Sequence, residues 1–141
     1  MGIDIKKILL VILSYVVITM AIAYSWNVIL FQDLHFAIGA NTRAEPIIWL
    51  GLIAMLLQAV VIAYLYPFFY NPGSHPVVQG IKFNLIMGAM VFSILGFGIA
   101  AKYDINPIAP FLISTLMFQF FQFVFTGIVL GSIYGRIEDK P

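Results

Sequence analysis

The chain has 141 residues, of which 62% are hydrophobic, 16% aromatic and only 9% charged, against about 25% charged in an ordinary soluble domain; a water-soluble globule is excluded. Seven basic and six acidic side chains leave a formal charge of +1, which offers neither a basic surface for nucleic acid nor an acidic tail. With no cysteine, disulfides, thiolate metal sites and thiol nucleophiles are excluded too.

A bilayer core about 30 Å thick needs about 20 apolar residues at 1.5 Å each, and four such blocks occur, at residues 8–31, 47–69, 81–101 and 111–134. Each far exceeds the roughly 10 residues of a barrel strand and lacks its alternation. The expected architecture is therefore all-α: one domain over residues 1–141, an integral membrane protein of four antiparallel transmembrane helices. There is no room for a separate soluble domain. In the first block, Lys6 and Lys7 followed by Ala21 to Ala23 imitate a signal peptide, but the apolar run continues to Phe31 and is read as a span. The Met1, Gly2 start lacks the Ser or Thr of a myristoylation site, having Lys6 there, so no lipid anchor is expected. The second block starts just after Pro46 and ends at the breaker Tyr70, Asn71, Pro72, Gly73. The fourth starts at Pro110, where a missing N–H costs nothing. Lys6, Lys7, Lys82, Arg136 and Lys140 fall on one face and Arg43 and Lys102 on the other, which predicts cytoplasmic termini. Trp26 and Trp49, near span ends at the first long loop, suit an outer aromatic belt.

Within the fourth span, Thr115, Gln119, Gln122 and Thr126 recur at spacings of four, three and four, one face of a helix. Two amides facing lipid would lack partners, so this seam should face protein. Gln58 is the nearest partner by depth for Gln119 or Gln122, with Asn27 or Tyr15 on the first span. Interhelical hydrogen bonding is the plainer role, and a small-molecule pocket the alternative. Gly127, Gly131 and Gly135 make overlapping G-x-x-x-G units that admit a neighbouring backbone, from this chain or from a second one. Asn84, with Gly88, offers a complementary surface on the third span.

Chemistry has few carriers. The spans are almost free of ionisable groups, and no G-x-S-x-G, P-loop or H-E-x-x-H occurs. The first loop holds Asp33, His35, Arg43 and Glu45, the best place for an external contact. Asp33 and His35 fall short of the three or four protein ligands of a zinc site, and His75 is expected across the membrane. No metal, cofactor or enzymatic activity is expected.

The string Asn41, Thr42, Arg43, Ala44, Glu45, Pro46, with Gly51, Gln58 and AYLYPFFY from Ala63 to Tyr70, then Gln79 to Phe83, Ala100 to Lys102, and Gln122, Phe123 and Gly127, resembles a group of small bacterial four-helix membrane proteins classed only as a domain of unknown function. The likeness spans about Tyr24 to Gly135. It implies four transmembrane helices in a bacterial plasma membrane and no settled activity, substrate or catalytic residue. That pattern more often has glycine where this chain has Asn84. Two functions are expected. The first is a non-enzymatic interaction subunit that packs against a membrane partner or itself through the glycine face. The second is a homo-oligomeric carrier or pore for a small neutral or apolar molecule, lined by Gln58, Asn84, Gln119 and Gln122.

Overall fold

In the computed structural model, which describes residues 4–40, 43 and 45–135, the Asp4 carboxylate accepts the backbone N–H groups of Lys6 (3.0 Å) and Lys7 (3.4 Å). This cap satisfies two of the donors that a helix start leaves free and begins α1, Ile5–Leu30, slightly ahead of the expected span. The final residues of α1, Ser25–Leu30, widen to π geometry, and the Asn27 amide donates to the Ala23 carbonyl (3.0 Å). Part of the expected first loop is instead a short helix, α2, Gln32–Ala37, with Asp33 in its first turn, where a carboxylate complements the helix dipole. Hydropathy does not register so short and polar an element.

Three long helices follow: α3, Ile48–Phe69, α4, Pro76–Lys102, and α5, Ile108–Gly135. All three and α1 are long and apolar enough to cross a membrane, and no strand occurs among the described residues. α4 starts earlier than expected because Pro76 takes the first helical position, where its missing N–H is harmless. Gln79 clamps the preceding turn, donating to the carbonyls of Asn71 (2.8 Å) and Ser74 (3.0 Å) and accepting from the Asn71 N–H (2.8 Å). Lys82 is exposed and does not end the helix. α4 carries its own π stretch, Ser93–Gly98. Asn41, Thr42, Ala44, Arg136 and Lys140, used above for the resemblance and the charge asymmetry, lie outside the described residues.

α5 is the central helix, 44% of its most apolar stretch being buried against 17% for α1 and α3. It packs along α4 and α1, and α1 packs along α3, while α3 and α4 touch sparingly. Polarity is inverted relative to a soluble bundle: Asn84, Gln119, Gln122 and Thr126 are buried, whereas Leu9, Leu57, Phe68, Ile86 and Phe120 are exposed. Such a surface suits hydrocarbon, not water.

The α4–α5 contact is backbone on backbone. A Cβ on Gly127 would stand 2.8 Å from the Gly80 carbonyl oxygen and from Ile81 Cα, and one on Gly131 2.6 Å from Val77 Cα. At Gly135 it would meet Pro76 Cγ at 2.6 Å. The glycine face is thus filled by the chain's own third span, the first of the two alternatives given for it above. Beside it, Tyr66 is fully buried, its ring 5.3 Å from Phe83 and 4.9 Å from Tyr134, and Lys7 Nζ lies 5.1 Å from the Tyr134 ring centre.

At the opposite end, Ile38, Ile105 and Phe111 form a separate cluster. Gly39 has φ +74° and its Cβ position lies 3.1 Å from the Asp104 carbonyl oxygen, a turn that a larger residue would strain. Asn106 N–H donates to the Ile38 carbonyl (3.1 Å), tying the segment after α2 to the segment before α5.

Candidate binding cavity

The polar seam of α5 divides into a closed half and an open half. In the closed half, the Tyr15 hydroxyl donates to Gln58 Oε1 (2.8 Å) and accepts from Gln122 Nε2 (2.9 Å), joining α1, α3 and α5. Asn84 Nδ2 donates to Thr126 Oγ1 (2.9 Å), whose hydroxyl donates in turn to the Gln122 backbone carbonyl (2.7 Å). Phe123 fills the space against Gly88, where a Cβ would come within 2.7 Å of its ring. Asn84 Oδ1 has no hydrogen-bond partner among the described residues, but the void beside it holds only about 10 Å³, the lower limit for a single water. Gln58, Asn84, Gln122 and Thr126 are therefore bonded among the four long helices.

The open half begins one turn away. Glycine contacts draw α4 and α5 together near Pro76; towards the other end the helices border an open cavity of about 510 Å³ lined by all four of them. Met20, Met55, Leu95 and Phe118 supply apolar walls, and Tyr24, Ile48 and Gly51 form an exposed rim. Both π stretches contribute, through Trp26 and Asn27 on α1 and Leu95 on α4. A π turn inserts a residue and re-aims the side chains around it, and such turns recur at functional sites. Thr115, half-buried, and Gln119 line the α5 side. Gln119 is only 3% exposed, and its Oε1 has no hydrogen-bond partner among the described residues. An amide oxygen left so in an apolar setting costs about 1–3 kcal/mol.

At the end nearest α2, Trp26 Nε1 donates to Ser114 Oγ (3.2 Å), and Ser114 Oγ lies 3.2 Å from His35 Nε2. Ser114 is buried, so its hydroxyl proton needs an acceptor; an unprotonated His35 Nε2 provides it and completes a relay from Trp26 through Ser114 to His35. Burial also lowers the His35 pKa below its ordinary 6.5, favouring the same neutral ring. As pH falls through 6.5 the unfolded chain takes up a proton that the folded protein refuses. Stability is full above that value and declines below it until His35 itself protonates. Thermal unfolding in detergent between about pH 8 and about pH 5 should show this decline, and His35→Gln should remove it.

Of the first-loop residues singled out from the sequence, His35 reaches the cavity, whereas Asp33, Arg43 and Glu45 are exposed and do not line it. Among the described residues no group of three or more His, Asp or Glu is gathered as a metal site. The apolar groove of about 200 Å³ between α3 and α4 has one polar residue, Gln58, already bonded to Tyr15. Trp26 and Ser114 escaped the sequence reading as a pair because they are far apart in the chain and Ser114 falls outside the four-three-four seam. No protein-family model, curated protein or solved structure matches the chain.

Proposed function

We propose that this chain is a non-enzymatic, multi-pass membrane protein that binds a small, neutral, largely apolar molecule in the cavity around Gln119. The observation that carries the reading is the unpartnered Gln119 Oε1 beside a cavity of about 510 Å³, within the usual range for small-molecule sites. Among the described residues, no Asp, Glu, Lys or Arg lines it, so a charged ligand would be desolvated without compensation. All four long helices of the one chain contribute to the cavity lining. The glycine face, occupied within the chain, lends no support to the other expected role, that of an interaction subunit.

The orientation belongs to the same proposal: antiparallel spans with both termini cytoplasmic, in a bacterial plasma membrane as the family resemblance implies. Lys6, Lys7 and Lys82 lie near the glycine-packed end, Arg43 and Lys102 near the cavity end, and the charge bias supports a cavity opening towards the outer leaflet. A reporter enzyme fused after residue 141 should be active in the cytoplasm; external activity would overturn the orientation.

Gly51 lies on the cavity rim with no described residue within 4 Å of its Cβ position, so Gly51→Phe should fold normally while filling the entrance. Mass spectrometry of gently solubilised wild type should find a neutral molecule in stoichiometric amount, and Gly51→Phe should lose most of it. Equal retention by both proteins, or an empty wild type, would refute the binding role.

A further inference from the structure

The short helix α2 borders the cavity at the end away from the glycine contact, where His35 and, just beyond it, Ala40 line the wall. Its hold on the bundle is slight. Of its six residues, four are exposed and only Leu34 and His35 reach inwards. Leu34 rests on the cluster of Ile38, Ile105 and Phe111. His35 makes the one side-chain hydrogen bond, among the described residues, between α2 and a long helix. Both ends of α2 are joints: Phe31 leaves helical geometry at φ −125° and ψ 15°, and Gly39 has φ +74°. Residues at the ends of an element absorb the backbone rotation when it swings. Ile38, tied to Asn106, anchors the pivot.

The bond that holds α2 works only for a neutral imidazole. An indole N–H donates and never accepts, so Ser114 Oγ accepts from Trp26, and the serine proton needs the lone pair of His35 Nε2. A proton on Nε2 removes that lone pair and leaves the buried serine proton without an acceptor. The charge finds no counter-charge either. Near this end stand Tyr24 on α1, Asp33 on α2, Arg43 and Glu45 ahead of α3, and Lys102, Tyr103 and Asp104 after the π stretch of α4. On α5 the one titratable group is Tyr134, at the far end. Among the described residues none of these is bonded to His35, whose pKa is lowered by burial with no charged neighbour contributing. An ionised ring is therefore better placed in water than on Ser114.

We propose that α2 is an acid-released lid: neutral His35 latches it to Ser114, and protonation turns the ring outwards and opens that end of the cavity. This is a regulation of the binding site proposed above and takes its purpose from that reading. The direction is set by the two states of the ring. Burial holds the pKa of His35 in the closed form below the ordinary 6.5, which the ring regains on release. Below pH 6.5 the released form therefore carries a proton that the closed form lacks. The ratio of released to closed form rises by up to about 10-fold per pH unit, until the closed form protonates as well.

Trp26 is part of the latch and is one of two tryptophans, so Trp49→Phe leaves a single reporter at this end. Its quenching by acrylamide is measured in detergent from about pH 8 to about pH 5, each intensity being divided by that without quencher at the same pH. Far-UV circular dichroism is followed in parallel. The quenching constant should rise as pH falls below 6.5 while helix content holds. In the same background His35→Gln keeps an acceptor for Ser114 that does not titrate, and should quench as the closed form throughout. His35→Lys, charged over this whole range, should quench at about pH 8 as the parent does at about pH 5. A quenching constant independent of pH in the parent would overturn the lid. A rise that persists in His35→Gln would overturn His35 as its latch, and a rise matched by loss of helix would be unfolding of the whole chain and would overturn the lid as well. No ligand enters the measurement. Wild type found empty by mass spectrometry therefore refutes the binding role without touching the lid, and quenching independent of pH overturns the lid without touching the binding role.

Discussion

Gly131→Leu should abolish the folded monomer, and Gly131→Ala should lower its stability even though alanine is the better helix former by about 1 kcal/mol. Any Cβ at Gly131 meets the Pro76 carbonyl oxygen and Val77 Cα, at 2.6 Å for the latter, and backbone cannot rotate aside as a side chain can. Accommodation requires α4 and α5 to part, which separates Gly80 from Gly127 and loosens the packing around Tyr66 and Tyr134. Overpacking of this kind costs about 1–3 kcal/mol for small insertions, and a leucine exceeds what a marginally stable protein can absorb. Gly51→Ala is the matched control: with no described residue within 4 Å, it should be neutral or stabilise by up to about 1 kcal/mol. Thermal unfolding in detergent compares the three. A Gly131→Ala protein as stable as Gly51→Ala would show that the glycine contact does not hold α4 to α5.

Tyr15→Phe should produce the largest loss from the removal of a single atom. The hydroxyl bonds Gln58 at 2.8 Å and Gln122 at 2.9 Å, in a core where Tyr15 is 3% exposed. Its removal strands an amide oxygen on α3 and an amide N–H on α5. Interhelical bonds in membranes average about 0.6 kcal/mol with a maximum near 1.7; two lost together predict about 1–3 kcal/mol. Gln122→Ala, which loses one of them, should cost about 0.6–1.7 kcal/mol. The pair is read as shifts in unfolding midpoint, and a Tyr15→Phe shift no larger than that of Gln122→Ala would mean that the two bonds do not act as one junction.

Span number was legible in the sequence because length and hydropathy are properties of long windows. The four-three-four spacing likewise places Gln119, Gln122 and Thr126 on one buried face. What the spacing cannot reveal is that the face is divided. Tyr15 arrives at the depth of Gln122 from another helix, and Phe123 closes the bundle there, so one glutamine is satisfied and its neighbour one turn away is not. Asn27, considered as a partner for that seam, instead bonds its own backbone. The start of α4 and the existence of α2 were obscured by the same cause: Pro76 and Asp33 are short-range signals set among residues that read as loop. His35 could be singled out as an external-loop residue, but its place beside Ser114 depends on α2 folding back over the bundle, which is a tertiary fact.

The two π stretches, Ser25–Leu30 and Ser93–Gly98, make the cavity wall editable by deletion. Each holds one residue more than an α-helix of the same rise would, and so has the form of an insertion retained in an otherwise regular helix. Excising a single residue from Ser93–Gly98 would let α4 run on as uninterrupted α-helix with the segments on either side keeping their register, because the widened turn itself absorbs the extra residue. Leu95, which lines the cavity from within the stretch, would be re-aimed while the glycine-packed half kept its place. A shortened chain of this kind would be expected to fold as well as the parent or better and yet hold no ligand. On that view the extra residue contributes to recognition at a cost in helix regularity, and homologous chains one residue shorter here would mark a lineage with a closed wall.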